Sequence, residues 1–120
     1  MDRRRRRRRG PGGASRRRSA RRRRVLITSA SPTGDVSGDR SVTIQANVED
    51  REGYLLSRHD IDVYLDGQEM RFDYRKSSGS LTCYAGRLSP GVHTVEIEAF
   101  LETDEGTRSG KKRWTFNVRK

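Results

Sequence analysis

Residues 41–50 read SVTIQANVED, and their alternation decides the fold class. Val42, Ile44, Ala46 and Val48 fall in one phase, Thr43, Gln45, Asn47 and Glu49 in the other. Successive side chains of an extended chain point to opposite faces, so this is a strand with one buried and one wet side. A helix would need apolar residues three and four apart over at least about ten positions. No stretch of the chain supplies that pattern.

The period of two recurs on both sides of this stretch. DIDVYLDG (60–67) sets Ile61, Val63 and Leu65 against Asp60, Asp62, Tyr64 and Asp66, and closes on Asp66-Gly67. Both of those residues tolerate positive φ, so a tight hairpin into QEMRFDY (68–74) is predicted. SLTCYAG (80–86) aligns Leu81 with Cys83, HTVEIEAFLE (93–102) aligns Val95, Ile97, Ala99 and Leu101, and KRWTFNV (112–118) aligns Trp114, Phe116 and Val118. Turn residues separate these runs: LSPGV (88–92) predicts a type II turn with Gly91 at positive φ, and DREG, SSGS, DEG and SG mark other loops. GYLLSRH (53–59) breaks the alternation and reads as a short irregular or single-turn crossover that buries one of Leu55 and Leu56. No connection is long enough for a helical crossover between parallel strands. The reading is an all-β, seven-stranded antiparallel sandwich.

Ahead of it stands a segment of another kind. Residues 1–24 carry Arg3, Arg4, Arg5, Arg6, Arg7, Arg8, Arg9, Arg16, Arg17, Arg18, Arg21, Arg22, Arg23 and Arg24 against Asp2, a net charge of +13. Residues 25–120 hold 13 bases and 15 acids, a net of −2. The overall +11 therefore belongs to the first segment. Mutual repulsion and Gly10, Pro11, Gly12 and Gly13 oppose regular structure there, so a disordered arginine-rich tail (1–24) precedes a folded domain (25–120).

SVTIQANVED, DIDVYLDGQEM, LSPGVHTVEIEA and RWTFNV together resemble the immunoglobulin-like, fibronectin type III-like modules of bacterial surface proteins and secreted multidomain enzymes. The resemblance spans about residues 41–118, and its most specific feature is the pairing of VYLDG with LSPGVHTVEIEA. It implies an immunoglobulin-like β-sandwich with a non-catalytic role in spacing, stiffening, adhesion, or contact with a protein or glycan. It also implies a cell-surface or extracellular setting. The arginine-rich start, with only three strongly apolar residues in VLITSASPTG (25–34), does not match an export signal and suggests a cytoplasmic one instead. No run of about 20 apolar residues offers a membrane span.

Catalytic constellations are scarce. No nucleophile elbow, phosphate loop, zinc-protease or EF-hand pattern occurs. His59 and His93 lie far apart without ligand-spaced neighbours, and His93 reads as a hydrogen-bonding strand residue. Cys83, the single cysteine, shares the phase of Leu81 and reads as core. Glu96, Glu98, Glu102, Asp104 and Glu105 form an outward acidic run. With Asp50 and Glu52 it raises calcium as a minor reading, and attraction of the arginine tail as another, beside the plain one of a solvated face. Tyr64, Tyr84 and Phe100 fall in the outward phase, as a stacking surface would require.

The strongest chemical signal is the tail. Guanidinium groups stay charged and grip phosphate through a two-pronged fork, so the fourteen arginines are the candidate binding residues for an anionic polymer, whether nucleic acid or an anionic surface. The sequence thus points to a non-enzymatic binding or structural module, with no cofactor, whose tail holds anionic polymers. The alternative is an intracellular nucleic-acid-associated protein, of a ribonucleoprotein or virion, in which the tail binds RNA or DNA and the sandwich mediates assembly.

Overall fold

The structure is a computed structural model and describes residues 24–120. Nine strands and one short 3-10 turn make up this region: β1 (Val25–Ser31), β2 (Gly34–Val36), β3 (Val42–Asp50), the 3-10 turn (Arg58–Asp60), β4 (Ile61–Leu65), β5 (Gln68–Met70), β6 (Asp73–Arg75), β7 (Ser80–Gly86), β8 (Gly91–Thr103) and β9 (Gly106–Val118). They form a four-stranded sheet in the order β1-β3-β7-β6 and a five-stranded sheet in the order β2-β9-β8-β4-β5. The inward phases meet between the sheets. Ile44, Val48, Val63, Leu81, Cys83, Val95 and Ile97 lose all or nearly all contact with solvent there. Each such branched side chain contributes about 1.5–3 kcal/mol relative to exposure.

Of the nine strands, β1 lies outside the six runs read from the sequence, and two further additions have physical causes. QEMRFDY alternates as one strand, but the chain crosses from one sheet to the other at Arg71 and Phe72, so it becomes β5 and β6. Met70, Phe72 and Tyr74 all pack on the core, so the alternation survives the crossing. The second addition, β2, spans only Gly34–Val36 and carries no apolar pattern to betray it. It runs parallel to β9, so the sandwich is not wholly antiparallel.

The Asp66-Gly67 hairpin forms as predicted, with φ of 53° and 84° and Leu65 opposite Gln68. Gly91 takes positive φ (122°), as the first residue of β8 beyond a bend at Pro90. Leu56 is the buried leucine, at 2% exposure against 72% for Leu55. The pair SG, expected as a loop, lies inside β9 instead. Gly110 serves close approach there: a Cβ would overlap the carbonyl of Val25 where β1 passes over β9.

That passage closes one flank of the sandwich. Arg24 bridges Ser109 in parallel, its carbonyl accepts from the Arg51 N–H (3.0 Å), and Trp114 Nε1 donates to the Pro32 carbonyl (3.0 Å). Trp114, expected inside with Phe116 and Val118, is half-buried at this seam. The opposite flank, bordered by β5 and β6, is crossed by the chain at Arg71 and Phe72 and opens into a cleft.

Candidate functional site

Two charged clusters lie at the margins of the core. His93 falls in the inward phase of β8 and is buried against Phe116, ring centroids 5.7 Å apart. Its Nδ1 faces Asp66 Oδ2 at 2.6 Å and its Nε2 faces the Ser89 carbonyl at 2.7 Å. A neutral imidazole can donate from one nitrogen only, so two acceptors favour the doubly protonated ring. The Ser89 carbonyl first, and Asp66 second, raise the His93 pKa above its ordinary 6.5. Burial pushes the Asp66 carboxyl up, but bonds from His93 and from the Thr94 N–H (2.8 Å) outweigh it and hold it below its ordinary 3.8. The positive φ that fits Asp66 to the hairpin also aims its carboxylate across at β8. His93 is therefore a hydrogen-bonding strand residue, as read from the sequence, and it staples the β4–β5 turn to β8.

The second cluster joins the two sheets. Asp50 closes β3 in the inward phase and pairs with Arg108 on β9, whose Nε donates to Asp50 Oδ1; the two side chains are 0% and 3% exposed. The other carboxylate oxygen accepts from the N–H groups of Glu52 (2.8 Å) and Tyr54 (3.4 Å). Tyr54 lays its ring over the guanidinium at 4.8 Å, and its hydroxyl donates to Glu105 (3.0 Å). Asp50 therefore spends its oxygens on protein donors and is not presented as a calcium ligand. The hydrogen bond to Asp50 leads the causes that raise the Arg108 pKa further. The sequence reading missed this pair: continuing the inward phase of β3 to Asp50 would have signalled the acid, whereas Ser109-Gly110, read as a loop, hid the part of β9 that carries Arg108.

The outward acidic run is paired in part with the neighbouring strand. Lys111 on β9 meets Glu96 at 3.0 Å and Glu98 at 3.7 Å. Tyr64 stands on the same face, and Asp62 first, then burial and Glu69, raise its phenol pKa. Glu102 accepts from Thr107, and Glu105 from Tyr54. Among the described residues no three His, Cys, Asp or Glu side chains converge as metal ligands would. Cys83 is buried with Leu81, and burial raises its thiol pKa, which disfavours the nucleophilic thiolate.

The flank bordered by β5 and β6 holds a cleft of about 670 Å³. Ile61 and Phe72 line it beside Tyr84, which is 70% exposed, and Arg58 and Arg71 stand at its edges. It exists because β5 pairs with Val63–Leu65 but stops short of Ile61 and Asp62, while β6 pairs with residues 80–82 of β7 but stops short of Tyr84. Of the three outward aromatics, Tyr84 and Phe100 are exposed and Tyr64 is half-buried among carboxylates.

Solved structures resemble this arrangement. CopC from Methylosinus trichosporium OB3b aligns with a TM-score of 0.57 at 14% identity, over 79% of this chain and 93% of that one. The filamin domain of Lin-41 aligns with a TM-score of 0.51 at 19% identity, over 79% and 91%. The fold is an immunoglobulin-like β-sandwich. At these identities the likeness establishes the immunoglobulin-like architecture and nothing finer. No family model matches the chain, and no curated protein does.

Of the fourteen arginines singled out in the sequence, Arg24 is described: its main chain belongs to the sandwich and its side chain is exposed. The other thirteen, and with them the expected disorder of the tail, lie outside the described residues. Among the described residues no helix is long and apolar enough to cross a membrane.

Proposed function

We propose that this chain is a non-catalytic immunoglobulin-like module that is held to an anionic polymer by its arginine-rich first segment. The observation that carries this reading is the division of charge. Residues 1–24 hold +13 and the rest −2, and the buried ionisable groups of the sandwich, His93, Asp50 and Arg108, are engaged by protein partners: His93 by Asp66 and the Ser89 carbonyl, Asp50 by Arg108 and backbone N–H groups. An active site needs a general base, nucleophile or electrophile with spare bonding capacity facing a substrate. Here such groups are turned to fastening one strand to the next and one sheet to the other. The arginines, in contrast, are permanently charged and match phosphate geometry. Nothing in that segment reads base edges, so its binding is general for anionic chains and steeply salt-dependent.

The test is a mobility-shift titration of an unstructured RNA at near-physiological salt with the full chain and with a variant lacking residues 1–23. A shift with the full chain, lost in the truncated variant, supports the reading. Equal shifts for both would move the binding into the sandwich.

A further inference from the structure

The cleft on the open flank has the makings of a nucleobase site, and we propose that it binds single-stranded nucleic acid, with a base stacked on Tyr84 over Phe72 and the adjoining phosphates met by Arg58 and Arg71. This rests on the preceding reading of the arginine segment and narrows its anionic polymer to one that carries bases.

Four observations converge on it. The volume of about 670 Å³ lies within the range of small-ligand clefts, about 300–1,000 Å³. Tyr84 is 70% exposed on a strand whose inward residues, Leu81 and Cys83, are fully buried, so its backbone is rigidly placed while its ring is left in solvent. Among the described residues neither Arg58 nor Arg71 enters an ion pair, although three carboxylates border the same cleft.

The fourth observation concerns those carboxylates. Asp62 and Glu69 stand on the outer face of the five-stranded sheet, gathered around Tyr64, whose phenol responds to both. Asp73 lines the cleft with them, so the lining carries three carboxylates, two arginines and His59. A cleft with an apolar floor, one solvent-facing ring and two unpaired guanidinium groups suits a ligand with a flat π-face and negative charge a few ångströms away. Proteins that bind single strands combine these same elements, and every base offers a face to stack. The arginine segment would supply affinity for the strand, and the cleft would supply preference for strands that carry bases.

Abasic strands separate the two contributions. The full chain is titrated by fluorescence anisotropy against an oligothymidine of about 12 nucleotides and against an abasic strand of equal length and charge, at about 0.5 M salt, where contacts to phosphate alone are weakened. The expected result is at least about tenfold tighter binding to the strand with bases, with Tyr84→Ala reducing that preference toward unity and the double variant Arg58→Glu/Arg71→Glu weakening the binding of both strands. Tyr84 and both arginines are exposed, and unchanged thermal melting confirms that the variants fold. Equal binding of both strands by the wild-type chain overturns the nucleobase site while leaving the arginine segment as a general polyanion binder. A preference that survives Tyr84→Ala, or binding of both strands left unchanged by the double variant, overturns its location in this cleft. Failure to bind either strand at low salt overturns the arginine reading itself and this proposal with it.

Discussion

At the scale of single residues, polar groups in the inward phase of a strand act as fasteners between elements. His93 carries a pH dependence whose sign follows from its raised pKa. Its contribution to stability is complete below about 6.5 and is lost as pH rises through the higher folded value. The Asp66 contribution is complete above about 3.8 and is lost as pH falls through the lower folded value. The pair therefore stabilises most between these limits. In urea titrations the midpoint of the wild-type chain should fall from pH 6 to pH 9, and His93→Gln should flatten that decline while lowering stability at pH 6. Asp50 and Arg108 make a second residue-scale prediction. Removing either partner takes the buried counter-charge from the other, so Asp50→Ala or Arg108→Ala should each cost about 3–5 kcal/mol by chemical denaturation. The apolar double variant Asp50→Leu/Arg108→Met should cost less than either single change, because no orphan charge remains.

Elements show what alternation reveals and what it hides. The long strands were legible because one face is buried and the other wet: Val42 to Val48 and Val95 to Ala99 all point inward as their spacing requires. Short edge strands were not, since β2 carries only three residues and β5 and β6 share one unbroken alternation. Period two reports facing; it does not report which sheet a strand joins. The candidate site divides the same way. Exposure of Tyr84 followed from its phase, whereas the cleft depends on where β5 and β6 stop, which is set by pairing between residues distant in sequence. Gly110 belongs to this scale too, for a loop-like Ser-Gly pair proved to be a point of contact between β1 and β9. Gly110→Ala should push the start of β1 away from β9, lower the melting temperature, and raise hydrogen exchange at the Arg51 N–H that bonds to Arg24. Unaltered exchange at Arg51 would show that the seam does not depend on that approach.

For the whole molecule, the governing feature is the separation of labour between a sandwich near charge balance and a segment of concentrated positive charge. Among the described residues, those that build the core of the sandwich run from Val25 to Val118. The account therefore assigns affinity for anionic chains to the arginines and assigns shape to the sandwich. Salt dependence reads that assignment directly. If about seven arginines engage a single strand, log K against log salt should fall with a slope of about −5, since each neutralised phosphate contributes about −0.7. The decisive measurement is this slope for an unstructured RNA, taken with the full chain and with residues 1–23 removed. The account predicts a steep slope for the full chain, and affinity at low salt at least about a hundredfold weaker with a much shallower slope for the shortened one. The same slope and the same affinity for both would contradict it.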